Sequence, residues 1–93
     1  MIEVKRTSDG DPLTFEVVVS DGNGHSRHQV SLAESTAARL AAGHSPEQCV
    51  EAAFRFLLDR EPKEAILGRF DVTVISRYFP EFESRLPEYL SPP

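Results

Sequence analysis

Ser45-Pro46-Glu47-Gln48-Cys49-Val50-Glu51-Ala52-Ala53-Phe54-Arg55-Phe56-Leu57-Leu58-Asp59 is the stretch on which the fold turns. Ser45 is placed to cap a helix and Pro46 suits its first position. Gln48 completes a capping box, in which each side chain satisfies a free backbone donor. Glu47, Glu51, Arg55 and Asp59 recur every four residues and so share one narrow polar stripe. Cys49, Val50, Ala52, Ala53, Phe54, Phe56, Leu57 and Leu58 fill the rest of the circumference. A helix apolar over that much of its surface is enclosed by other elements. The spacing therefore predicts a helix at the centre of the core.

Upstream, the first third of the chain reads as a β-meander. Ile2 and Val4 alternate with Glu3 and Lys5, the period of a half-buried strand. Ser8-Asp9-Gly10-Asp11-Pro12 is turn chemistry. Phe15, Val17 and Val19 then lie on one face, with Thr14, Glu16 and Val18 on the other. Asp21-Gly22-Asn23-Gly24 is a second hairpin signal, followed by His28, Val30 and Leu32 alternating with Arg27, Gln29 and Ser31. Three short strands joined by tight turns are most simply antiparallel neighbours. In the order 1-2-3, strands one and three are edges, and an edge can recruit another strand.

The apolar face of the meander needs a cover, which the remaining residues supply. Ser31 and Glu34 have capping-box spacing, and Ala33, Ala37, Leu40 and Ala41 form a stripe that Gly43 would end. Beyond the central helix, Pro62 suits a restart, and Ala65-Ile66-Leu67 reads as a short helix stopped by Gly68. Phe70 to Ile75 is torn between two signals. Val72-Thr73-Val74-Ile75 has high β-propensity. Asp71 is a good N-cap, however, and Ile75, Tyr78, Phe79, Phe82, Leu86, Tyr89 and Leu90 follow a helical stripe. The longer pattern outweighs the local one, so helix is expected here, broken by Pro80. The fold class is α+β: an N-terminal three-stranded antiparallel β-meander covered by four to five short helices. Residues 1–90 form a single domain, with Ser91-Pro92-Pro93 as a loose tail.

Composition agrees. A chain of 93 residues fits one domain, and folding at this size buries roughly 60–65% of the unfolded surface. The single Cys49 closes no internal disulfide, which points to a reducing cytosol. A net charge of −5 weighs against nucleic acid and anionic lipid surfaces as general partners. MIEVKRTSDG at the start carries no apolar signal core, and apolar runs such as Phe56-Leu57-Leu58 are too short to span a bilayer.

The residues that carry chemistry are dispersed. His25, His28, His44 and Cys49 are the soft metal-ligand candidates. His25 and His28 point to opposite faces of a strand, and no CxxC or HxxxH pair occurs. Cys49 faces the apolar side of the central helix, where a thiol is inert. Asp59, Glu61 and Glu64 are interleaved with Arg60 and Lys63, the pattern of a solvated junction. Asp9-Gly10-Asp11 and Asp21-Gly22-Asn23-Gly24 lack the spaced Glu of a calcium loop. Neither GxGxxG nor GxxxxGK[ST] is present. No catalytic, cofactor-binding or metal residue is assigned, and no cofactor is expected. Phe70, Tyr78, Phe79, Phe82 and Tyr89 concentrate in the last quarter; the favoured reading is a C-terminal cap over the meander and central helix, and the alternative leaves some exposed as a docking patch.

Two resemblances bear on function. The segment from His28 through Gly43-His44-Ser45 into the central helix resembles the ribbon–helix–helix repressors in element order and length. That implies DNA binding through a strand shared between dimer mates, with Arg27, Gln29 and Ser31 presented to the groove. The stretch Glu51 to Glu64, with Phe70-Asp71 and Tyr78-Phe79-Pro80-Glu81-Phe82-Glu83, resembles a group of short uncharacterised bacterial proteins over the whole chain. That resemblance implies no activity and assigns no residue a role. The leading expectation is a non-enzymatic interaction or accessory domain, with an unknown protein partner or self-association as a homodimer. A DNA-binding regulator of ribbon–helix–helix type is the alternative. A small enzyme with a site assembled from scattered residues is the second alternative.

Overall fold

The computed structural model describes residues 1–90; the expected tail at 91–93 lies outside the described residues. β1 (Ile2–Ser8), β2 (Leu13–Asp21) and β3 (Gly24–Leu32) form the expected antiparallel meander. Alternation sorts their side chains. Leu13, Phe15, Val17 and Val19 of β2 are buried with His28, Val30 and Leu32 of β3. Asp21 pairs with Gly24 across a two-residue connection, and the Asn23 N–H donates to Asp21 Oδ1 at 2.8 Å. Gly24 takes φ 113°, a conformation that residues with a Cβ rarely adopt.

α1 (Glu34–Leu40) follows, but the expected capping box does not form. Ser31 stays in β3, where its hydroxyl donates to Asp71 Oδ1 at 2.6 Å. The free Glu34 N–H is satisfied instead by Asp11 Oδ1 at 3.0 Å, from the turn between β1 and β2. A long-range acceptor displaces the local one. After α1 the chain turns through two residues with positive φ, Ala42 at 52° and Gly43 at 89°.

α2 (Pro46–Leu58) is the predicted central helix, and Ser45 and Gln48 cap it reciprocally. Its two neighbouring phenylalanines divide the core. Residues two apart on a helix point about 200° from one another. Phe54 therefore faces the sheet, with its ring centroid 5.3 Å from His28 and 5.9 Å from Phe70. Phe56 faces the C-terminal segment and packs on Phe82 at 5.0 Å, Tyr89 at 5.8 Å and Phe79 at 5.9 Å. Arg60 lies over the Phe56 ring at 3.6 Å and donates to Glu81.

The C-terminal third departs most from expectation. Phe70 does not begin a helix. Arg69–Asp71 forms β4, parallel to β3, which makes a four-stranded sheet in the order β1-β2-β3-β4. The open edge of β3 supplies hydrogen-bond partners that a lone segment lacks, including Gln29 N–H to Gly68 O at 2.8 Å. Asp71 then caps the next turn, accepting from the Thr73 N–H at 3.0 Å, as its sequence position suggested. Helical structure resumes with a 3-10 turn at Val72–Val74 and α3 (Ile75–Tyr78). Pro80 breaks the run as expected, and α4 (Phe82–Arg85) and α5 (Pro87–Leu90) complete the cover. The short helix expected at Ala65–Leu67 is instead a 3-10 turn at Lys63–Ala65, with Ile66 extended.

Lys63 explains that shift. It is 3% exposed, and its Nζ lies 2.9 Å from Asp21 Oδ1 and 2.6 Å from Glu64 Oε2. The ion group ties the β2–β3 hairpin to the segment leading into β4. Hydrogen bonds from Lys63 hold the Asp21 and Glu64 carboxyls below their ordinary values of 3.8 and 4.5. The bonds to Glu64 and Asp21 raise Lys63 above 10.5.

Two outcomes follow. Phe54→Ala should cost about 3–5 kcal/mol, read from urea unfolding, because it empties the contact between α2 and the sheet; a change under about 1 kcal/mol would show Phe54 is not central. For the ion group, depressed carboxylates contribute stability above their ordinary pKa and lose it as pH falls through the folded values. The raised lysine contributes below 10.5 and loses it at higher pH. The fall in urea midpoint between pH 7 and pH 3 should therefore be smaller in Lys63→Met than in the natural chain. Equal falls would mean that the group adds nothing to acid sensitivity.

Candidate functional site

An apolar groove opens beside β4, where the extended segment after Lys63 meets α3. Its floor is Leu57 from the end of α2, Ile66, Phe70 from β4 and Ile75 from α3. Leu67 and Tyr78 form its lips. They are 46% and 66% exposed, the most open large apolar side chains among the described residues after Met1. The hollow measures about 180 Å³. An apolar cavity of about 150 Å³ accommodates a benzene ring, so this one has room for one large side chain.

The lips are held from behind. The His28 ring is buried against Phe54. Its Nδ1 lies 2.7 Å from Leu67 O, and its Nε2 lies 2.8 Å from Ser26 Oγ. A carbonyl oxygen only accepts, so Nδ1 carries the proton. With Gln29 N–H on Gly68 O, this bond pins Leu67 to β3 and leaves its side chain turned out. Glu61 supplies the carboxylate of the lining. A second, more open hollow of about 390 Å³ lies on the outer face of the sheet, between Thr14, Gln29, Ser31, Arg69 and Asp71. Burial works to raise the Asp71 carboxyl there, but bonds from Ser31 and Thr73 hold it below 3.8. Its acceptors are engaged within the chain.

The other residues weighed in the sequence do not converge. His25 lies exposed near the hairpin. His44 Nδ1 is 3.0 Å from Ala41 O, behind α1. Cys49 is fully buried, and burial pushes its thiol up to about 11. Among the described residues no three His, Cys, Asp or Glu side chains are grouped to hold a metal ion, and no helix is long and apolar enough to cross a membrane. Ser76 Oγ is buried without a hydrogen-bond partner and lies outside the groove lining. The C-terminal aromatics divide: Phe70 and Phe82 are core, Phe79 and Tyr89 are half-buried against Phe56, and Tyr78 is open. The helical stripe had placed Tyr78 inside. α3 is a single turn, and Tyr78 at its C-terminal end is left open although Ile75, three residues earlier on the same stripe, is buried. The strand-sharing arrangement of ribbon–helix–helix dimers needs a free edge on the strand before α1. In this chain β3 is paired on both sides, to β2 and to β4.

Cys49 provides a direct check of the packing. A disulfide reagent for thiols should modify it slowly in the native chain and at once in denaturant; rapid native modification would place the thiol at the surface.

In comparisons with known proteins, the chain matches no family model, no curated protein and no solved structure.

Proposed function

We propose that the chain is a non-enzymatic interaction domain that seats one apolar anchor side chain of a partner protein in the groove between Leu67 and Tyr78. The observation that carries this reading is the exposure of those two residues around an apolar hollow sized for one side chain. Leaving a tyrosine and a leucine in water gives up burial energy that their neighbours collect. A partner that covers both would recover about 25 cal/mol per Å² of apolar surface removed from water. Tyrosine is also among the residues most favoured as an interface anchor. The groove sits on rigid support, since β4 and the His28 bond fix one lip and the α2-packed C-terminal turns fix the other.

The test is affinity capture from the native cell with three forms of the chain. The natural chain and Tyr78→Phe should retain a common partner, while Tyr78→Glu should weaken its binding at least about tenfold. All three should melt alike, because exposed substitutions change stability by about 0.5 kcal/mol or less. Capture of the same proteins by Tyr78→Glu, or of none by the natural chain, would refute the reading.

A further inference from the structure

β1 lies at the opposite edge of the sheet from β4, with β2 as its one ladder neighbour. The pairing shows which backbone groups it leaves open. Met1 N lies 2.6 Å from Ser20 O, and Ser20 N lies 2.9 Å from Met1 O, so this pair exchanges both bonds. In an antiparallel ladder such pairs alternate with pairs that exchange none. Glu3 stands opposite Val18 and Lys5 opposite Glu16, so they continue the bonded set. Ile2, Val4 and Arg6 therefore turn their N–H and C=O groups outward. The register is regular from Ile2 to Arg6 and shifts between Arg6 and Ser8, which centres the usable edge on Val4.

That edge is self-complementary in charge. Glu3 and Lys5 flank Val4 on the outer face, and both are exposed. Among the described residues neither closes an ion pair within the chain. A two-fold axis at Val4 sets Val4 against its copy, exchanging backbone bonds, and sets Ile2 against Arg6 of the second copy. Glu3 then falls opposite Lys5 of the second copy, twice, in the non-bonded kind of pair where side chains approach closest. Sliding by two residues puts Glu3 on Glu3 or Lys5 on Lys5, which repels. Sliding by one turns outer residues inward. A lysine on an edge normally discourages strand addition; here Glu3 matches it in one register only, so it selects that register.

We propose that two copies of the chain associate through β1, antiparallel about Val4, and join their sheets into one continuous sheet. On the inner face Val4, half-buried against the core, meets its copy, and half-buried Ile2 lies beside Arg6 of the second copy. This association stands apart from the groove, which lies beside β4, and does not rest on it.

Light scattering coupled to size exclusion, at low salt and from about 10 μM to about 1 mM chain, tests it. The natural chain should dimerise within that range. Glu3→Lys and Lys5→Glu should each raise the dimer Kd about tenfold or more, and the combined Glu3→Lys/Lys5→Glu variant should return it to within about threefold of the natural value. Val4→Pro removes an N–H that β2 does not use, so it should yield a folded monomer. Tyr78→Glu should leave the mass unchanged. A monomer throughout, a dimer indifferent to the single reversals, a swap that does not restore it, or a dimer lost in Tyr78→Glu would each overturn the proposal.

Discussion

Enclosure of α2 is the constraint on which the rest of the structure depends. One helix supplies two phenylalanines on opposed faces, and each organises a separate half of the protein. Phe54 joins α2 to the sheet through His28 and Phe70. Phe56 gathers Phe79, Phe82 and Tyr89, which fixes three single-turn helices too short to be stable alone. Without that aromatic anchor the C-terminal turns would have little reason to adopt any particular arrangement.

The polar residues serve the same end by closing long loops. The Lys63 ammonium reaches back to Asp21 and ties the hairpin tip to the segment entering β4. Arg6 grips Glu47 through two bonds of 2.8 Å and fastens β1 to the start of α2. Hydrogen bonding to Arg6 holds the Glu47 carboxyl below 4.5. Tyr89 donates to Asp59 at 2.6 Å and joins α5 to the end of α2. Each joins residues about thirty or more positions apart, so they specify which elements meet rather than how strongly the core holds.

The two edges of the sheet are managed differently. On one side β4 covers β3 with only three residues, and the groove opens next to it. On the other, β1 presents alternating charge along a short regular run ended by a register shift. A short, charged, interrupted edge restricts which strands can add to it.

Local patterns determined the meander, α2 with its caps, and the break at Pro80. In each, the deciding interactions lie within a few residues, as alternation along a strand, a capping box or a proline ring. Tertiary contacts decided the remainder. Ser31 lost its capping role to Asp11, whose carboxylate arrives from a turn more than twenty residues away. Phe70 became a strand because β3 had an open edge, a fact about the assembled sheet that no window around Phe70 contains. Tyr78 shares the stripe of buried Ile75 yet stays open, because what covers each residue of a single turn is set by the elements docked around it and not by spacing. The groove belongs to this second class: its lips, Leu67 and Tyr78, become neighbours only after β4 and α2 have docked.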